Sequence, residues 1–317
     1  MTVRLYRSTD GSAPTLSGTA GDLINLLDKC LVSGYGSSTA AGWTKPYTST
    51  NAAAFRPGLG LQYYINIDDN GPGAGTGKEA RAAGYEIMTA YATGSNLFPT
   101  ATQSATGTFV RKSNTADATT RAWIVVADEM TFYLFILSGD VANAYTGFTF
   151  GEFYSYKSMD FGRYVIIGRV VENSATAGSE QMDLTQDADA LASSVSSYIA
   201  RDHQNNVGAV QIGKVGNQSF LSSPANGSAL AGAIAYTNPA NSKLFIAPVD
   251  ITHTVGGNTK RGRMRGFWHV GHAISNFTNG DTFSGTGDLA GKTFLLIKQS
   301  MNAGIYCIET STTWENN

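Results

Sequence analysis

Charge is what this sequence has least of. Only 15% of its 317 residues are Asp, Glu, Lys or Arg, where a soluble domain carries about 25%, and Gly, Ala, Ser and Thr fill the gap. A surface so poor in charge is either covered by other chains or kept soluble by hydroxyls and turn backbone. That favours an assembly component over a free enzyme. With 22 basic against 24 acidic residues, net −2, no global field draws the chain to nucleic acid or to an anionic membrane. Cysteine is nearly missing too. Cys30 and Cys307 are the only two, expected as separate buried thiols in a protein folded in a reducing cytosol. No run approaches the ~20 apolar residues of a membrane span, and residues 1–10 lack the apolar stretch of a signal peptide, so synthesis in the cytoplasm is expected.

Motifs that would carry chemistry are incomplete. The loop from Asp69 to Lys78 (DNGPGAGTGK) is Gly-rich, and exposed backbone N–H groups in such a loop can cradle phosphate. A P-loop, however, needs Gly where Pro72 stands and Ser or Thr where Glu79 stands. Phe283-Ser284-Gly285 lacks the Gly two residues before the serine that a nucleophile elbow requires. His269 and His272 are spaced to share a metal on a helix, but Gly271 and the preceding aromatic run indicate a strand ending in a turn, with Asp281 the nearest carboxylate downstream to act as third ligand. Asp68 and Asp69, adjacent on a strand, point to opposite faces. Asp10, Asp128, Asp140 and Asp281 sit among turn formers and are expected to bond local backbone. No catalytic residue, cofactor or metal is therefore expected. A sugar hydrolase needs two carboxylates across a groove, a pairing that sequence does not reveal.

What is present is a β pattern. Val3–Ser8, Gln62–Asp68, Phe148–Tyr156 and Tyr164–Val171 read as strands, and Arg121–Ala127 with Thr131–Ser138 as a central hairpin around Asp128-Glu129-Met130. Further strands are expected at 209–215, 243–250, 260–269, 292–298 and 304–310. Leu23, Leu26, Leu27, Cys30 and Leu31 fall on one helical stripe, with Thr19 as a cap and Gly34 as the stop. A second helix is expected over 80–91, despite Gly84. A third is expected in the C-terminal half, where Leu191, Val195, Tyr198 and Ile199 form an apolar face. Residues 93–107, rich in Thr, Ser and Ala, have no periodicity and are expected on the surface. The small polar stretch 173–181 marks a boundary. The expected architecture is α+β, mainly β: two β-rich domains with hairpins, residues 1–172 and 182–317, each with one well-defined amphipathic helix.

One charged feature stands out. In Lys260-Arg-Gly-Arg-Met-Arg265 the arginines Arg261, Arg263 and Arg265 recur at period two, so on a strand they emerge on one face, continued by Phe267, with Met264 and Trp268 opposite. Three aligned guanidinium groups need an acidic or phosphate complement. These five residues (Arg261, Arg263, Arg265, Phe267 and Trp268) are the candidate interface. The readings are a carboxylate-rich protein surface, such as another copy of this chain, a solvated edge strand guarded by charge, or a polyphosphate or nucleic acid. The aromatics, 11% of the chain, serve core packing first, and interfaces or a sugar-binding groove second.

The opening VRLYRSTDGSAPTLSGTAGDLINLLDKCLVSGYG, then AGWTKPY, FTFGEFYSYKSMD, RGRMRGFWHVGH and GDTFSGTGDLAGKTFLLIK, resemble a family of virion structural proteins of tailed bacteriophages. The resemblance spans most of the chain and rests on turn and packing patterns. It implies a non-enzymatic particle component on the head, neck or tail, synthesised in the host cytoplasm and located in the virion. The implied partners are other virion proteins and copies of itself. Neither a membrane nor nucleic acid is an expected partner. On that reading the 69–78 loop and the 93–107 stretch are candidate inter-subunit arms. The alternative is a host-surface carbohydrate-binding or adhesin component of the tail.

Overall fold

The run Thr131–Ile136 (TFYLFI) is apolar at almost every position because it is buried on both faces. Phe132 meets the Trp43 indole edge-on with ring centres 5.5 Å apart, while Tyr133 on the opposite face stacks on Phe267 at 5.3 Å. A strand covered on both sides loses the alternation of a half-exposed one and becomes a continuous hydrophobic run. The computed structural model describes residues 1–70, 78–105, 107–140, 142–143, 145–169, 195–208, 213–215, 246–253, 259–270, 278–298, 305–311 and 313–314.

The first eight strands in chain order are β1 (Arg4–Arg7), β2 (Thr44–Ser49), β3 (Ala52–Arg56), β4 (Tyr64–Asp68), β5 (Glu79–Ala90), β6 (Thr93–Phe98), β7 (Thr108–Arg111) and β8 (Trp123–Ala127). They are followed by β9 (Thr131–Ile136), β10 (Thr146–Glu152), β11 (Tyr154–Ser155), β12 (Tyr164–Arg169), β13 (Val195–Ile199) and β14 (Gly213–Val215). The last are β15 (Ile246–His253), β16 (Thr259–Val270), β17 (Thr282–Ser284), β18 (Thr293–Lys298) and β19 (Ile305–Glu309). They form two antiparallel sheets. The first, of 12 strands, runs β1-β8-β9-β10-β12-β7-β5-β4-β3-β2, with β13 added to β12 and β6 to β5. The second, of 7, runs β14-β15-β16-β19-β18-β17, with β11 added to β16.

The fold is mainly β. The expected central hairpin is β8 and β9, closed by Asp128, whose Oδ1 accepts the Met130 and Thr131 N–H groups at 2.8 Å each. The first helix forms as α1 (Asp22–Leu27) and continues as a π-helical turn over Asp28–Ser33 that ends at Gly34. Its stripe Leu23, Leu26, Leu27, Cys30 and Leu31 is fully buried, at a gain of roughly 1.5–3 kcal/mol for each large apolar side chain. Thr19 does not cap it. Asp69, from the end of β4, accepts the Leu23 N–H at 2.9 Å and takes that role from a distance of 46 residues.

The two other helices expected from the sequence are corrected. Residues 79–90 are β5, because β4 lies on one side and β7 and β6 on the other, and partners of that kind override the helix preference of Ala, Arg and Glu. Gly84 is required there, since a Cβ would lie 2.3 Å from the Phe98 ring. Residues 195–199 are β13, paired with β12, with Tyr198 and Ile199 both buried. Leu191 lies outside the described residues, as do the 173–181 boundary and residues 71–77 of the Gly-rich loop. Among the described residues α1 is the single α-helix. Residues 93–98, expected in an aperiodic surface stretch, are β6. Because β13 belongs to the first sheet, that sheet extends past the expected boundary.

One hydrophobic core joins the two sheets: Tyr133, Phe150 and Tyr164 of the first share a cluster with Met264, Phe267, Ile308 and Trp314. A smaller cluster of Val270, Phe294, Leu296 and Cys307 lies beyond it. Cys30 is in the large cluster and Cys307 in the small one, both as free thiols. Among the described residues no helix is long and apolar enough to cross a membrane.

Candidate interaction face

The candidate arginines lie on β16, where the chain of the first sheet crosses to the second. After β10 the backbone enters β11, which pairs with Gly262 and Arg263, and the following loop is tied down by the Tyr156 N–H on the Arg261 carbonyl at 2.9 Å. This crossing opens a cleft of about 570 Å³ between the loop and β16, lined among others by Met130, Glu152, Tyr154, Tyr156, Lys157, Arg163, Arg263 and Arg265. A smaller cleft of about 180 Å³ lies on the other side of Arg263 and includes Trp268 and Leu289.

The period-two pattern is broken inside β16. The β15 register jumps from Asp250 opposite Arg263 to Pro248 opposite Trp268, and Gly266 sits at φ +59° in this bulge. A Cβ there would lie 2.1 Å from Trp314 Nε1, so position 266 requires glycine twice over. The bulge reorients the residues that follow it. Met264 and Phe267, expected on opposite faces, share the large core, while Trp268 packs edge-on against Phe294 at 6.0 Å beside the small one.

For Arg261 and Arg265 the acidic complement comes from the same chain. Arg261 Nε and Nη2 reach the two Asp160 oxygens at 2.8 and 2.6 Å. Arg265 Nη2 donates to Asp128 Oδ2, and its guanidinium lies 4.8 Å from the Tyr154 ring centre, a cation–π contact. Burial pushes the Asp160 carboxyl up, yet the hydrogen bonds from Arg261 and Ser155 outweigh it and hold the pKa below the ordinary value. Burial likewise pushes the Tyr154 phenol up to about 12, so it stays neutral and donates to the Trp314 carbonyl at 2.6 Å. Arg163 is matched with Glu152 at 2.7 Å, and Asp250 accepts from Lys260 at 2.5 Å and from the Tyr156 hydroxyl at 3.2 Å.

Arg263 differs from its neighbours. It is half-buried, lies 5.8 Å from the Tyr154 ring centre, and has no carboxylate within ion-pair distance among the described residues. Of the five candidates, Arg261, Arg265 and Phe267 are buried within the chain. Arg263 and Trp268 are the two that reach the surface.

The rim was not legible in the sequence. Among the described residues seven large hydrophobic side chains are exposed: Met1, Leu59, Ile87, Tyr156, Met159, Phe161 and Val207. Two of them, Tyr156 and Met159, line the cleft, and four others are on segments that touch or adjoin its lining residues. Met1 Sδ lies 3.4 Å from Arg265 Nη2, Tyr156 and Met159 line the cleft, and Phe161 follows Asp160. Leu59 is bonded to the carbonyl of Glu129, next to Met130. Val207 is on the turn whose Asn205 donates to the Met159 carbonyl. No periodicity joins residues 1, 59, 156–161 and 207; the fold alone brings them together.

His269 stacks on Tyr306 with ring centres 5.0 Å apart, and burial lowers its pKa to about 4, so it is a neutral core residue. His272 lies outside the described residues. Among those described, no group of three or more His, Cys, Asp or Glu is placed to hold a metal ion. Asp10 and Asp281 accept from nearby backbone N–H groups as expected of turn residues, whereas Asp140, besides accepting from the Ser138 hydroxyl, takes two hydrogen bonds from the buried Arg111 guanidinium at 3.0 and 2.9 Å, a correction to its reading as a turn residue alone. No protein-family model matches the chain, and no curated protein matches it.

Proposed function

We propose that this chain is a non-enzymatic structural component of a tailed bacteriophage particle, present in multiple copies and held in place by protein contacts through the face around Arg263. The observation that carries the reading is the distribution of polar and apolar groups. Among the described residues thirteen Asp, Glu, Lys and Arg are buried, so the described surface is poorer in charge than its composition. Of the seven large hydrophobics exposed among the described residues, Tyr156 and Met159 line one cleft together with Met130, Tyr154 and Arg263. A monomer in solution rarely keeps such a patch open, and Met, aromatic and Arg side chains together are the composition of protein interfaces. The resemblance in the sequence supplies the particle.

A second reading, a carbohydrate-binding component of the tail, is favoured by Tyr154 and Tyr156 in a cleft whose volume is within the ~300–1,000 Å³ of ligand sites. Label-free quantitation of this chain in purified particles, relative to the major capsid protein, tests the first. Many copies per particle support it, and absence overturns it. Binding of the purified chain on a glycan array, lost in Tyr156→Ala, would replace it with the second.

A further inference from the structure

In the cleft between the loop after β11 and strand β16, the carboxylate acceptors are occupied and cationic donors are left over. Glu152 accepts from the Leu61 N–H on one oxygen and from Arg163 Nε on the other. Asp160, the other lining carboxylate, accepts twice on each oxygen, from Arg261, Ser155 and the Gly162 N–H. The Tyr154 and Tyr156 hydroxyls donate to the Trp314 carbonyl and to Asp250. Of the four lining cations, Arg163 and Arg265 are matched by Glu152 and Asp128. Arg263 and Lys157, both half-buried, have no carboxylate partner among the described residues. Arg265 supplies a second sign of an open position: it is almost wholly buried, yet its Nε has no hydrogen-bond partner.

We propose that the cleft is an oxyanion site and that its occupant is an acidic segment of a partner protein, with an Asp or Glu carboxylate received by Arg263 and Lys157. The inference rests on the protein-contact reading above and adds the chemistry of the partner. A half-buried cation without a counter-ion is unfavourable, and a carboxylate, which only accepts, matches a site whose remaining capacity lies in N–H donors. The planar fork of Arg263 suits both oxygens of a carboxylate. The Tyr154 ring, with its centre 5.8 Å from the Arg263 guanidinium and 4.8 Å from that of Arg265, lies against both. Met130, Tyr156 and Met159 line the same cleft, so apolar side chains next to the carboxylate have surface to cover. Inorganic phosphate would leave that surface open. A sugar fits less well, because its hydroxyls donate as well as accept and the lining carboxylates are taken; a uronic acid keeps those hydroxyls beside its carboxylate.

The probe is a blocked peptide of alternating glutamate and leucine, titrated into the purified full-length chain by calorimetry at low and high salt. The expected result is saturable binding that weakens with salt and is absent with the glutamine counterpart of the peptide. Affinity falls about tenfold or more in Arg263→Glu and in Lys157→Glu and is largely kept in Arg263→Lys. Thermal melting close to that of the parent chain confirms that the variants fold, and Lys157→Glu carries the test if Arg263→Glu melts early. No saturable binding, equal binding of the glutamine peptide, or indifference to both charge reversals overturns the proposal. Oligogalacturonate and inorganic phosphate are the competing arms, and either one bound more tightly than the peptide through Arg263 also overturns it. Copy number in particles separates the two failures. Many copies in the particle of a chain that ignores the peptide overturn the acidic partner alone, while absence from particles removes the reading beneath it.

Discussion

Arg261 and Asp160 are 101 residues apart in sequence and share two hydrogen bonds, at 2.6 and 2.8 Å, out of reach of solvent. Asp160 also accepts from Ser155 at 2.6 Å and from the Gly162 N–H at 2.8 Å, so the pair fixes the loop between β11 and β12 to β16. Removing one partner strands the other as a buried charge, at a cost of about 3–5 kcal/mol. Asp160→Ala and Arg261→Met should each lower the urea midpoint by a corresponding amount. The double variant Asp160→Leu/Arg261→Met should be less destabilised than the sum of the two, because no charge is left unpaired. Strict additivity would mean that the two side chains act independently.

Lys112 and Asp69 form a second such pair, with Nζ 2.5 Å from Oδ1 and neither residue accessible to solvent. Lys112 also donates to the Thr19 carbonyl at 2.8 Å, just ahead of the helix that Asp69 caps. Replacing Asp69 with Asn at pH 7 leaves the ammonium uncompensated and weakens the start of α1, so a loss of about 3 kcal/mol or more is expected in chemical denaturation. Amide hydrogen exchange should locate the effect. Faster exchange at residues 22–31, with β18 and β19 unchanged, is the expected pattern, and uniform acceleration would contradict a local capping role.

Much of the sheet structure was legible because it rests on local patterns. The runs at 123–127, 131–136 and 164–169 are apolar or β-branched and bounded by turn residues, and each is a strand. The α1 stripe was legible for the same reason. The misses have a common physical cause, which is that partners distant in sequence decided the outcome. Residues 79–90 have helix-forming composition and become a strand between β4, β6 and β7. The TGSNLF segment of β6 has few strand formers and is held by pairing. The arginines of β16 were visible at period two, but neither their counterions Asp160 and Asp128 nor the bulge at Gly266 leaves a signal at that spacing. The apolar rim is assembled from four separate parts of the chain.

The bulge makes a prediction of its own. Gly266→Ala places a methyl group 2.1 Å from Trp314 Nε1 at a left-handed backbone position, and Trp314 is held by its N–H on the Glu309 carbonyl at 2.7 Å. Strain at φ > 0 together with overpacking should destabilise the chain by about 2–4 kcal/mol. Tryptophan fluorescence and a denaturation curve measure both consequences, a changed environment for Trp314 and a lower midpoint. A substitution at exposed Gly11, which has no atom within 4 Å of the added methyl, should leave both nearly unchanged.

Two buried groups give opposite pH dependences. Burial lowers the His269 pKa from 6.5 to about 4, so below pH 6.5 the unfolded chain takes up a proton that the folded chain refuses. The stability associated with neutral His269 is complete above that pH and is lost as pH falls toward 4, by roughly 3 kcal/mol in all. Asp69 runs the other way. Burial, only partly offset by Lys112, pushes its carboxyl from 3.8 to about 6, so the folded chain holds a proton that the unfolded chain has released, and this contribution is lost as pH rises through about 6. His269→Phe keeps a ring against Tyr306 and removes the acid-sensitive group, whose Nδ1 has no hydrogen-bond partner to lose. Urea midpoints at pH 7, 6 and 5 should fall less steeply toward acid in this variant than in the parent, and Asp69→Asn in the same background should remove the opposing slope. An unchanged profile in His269→Phe would show that the imidazole is protonated as readily in the folded chain as in the unfolded one.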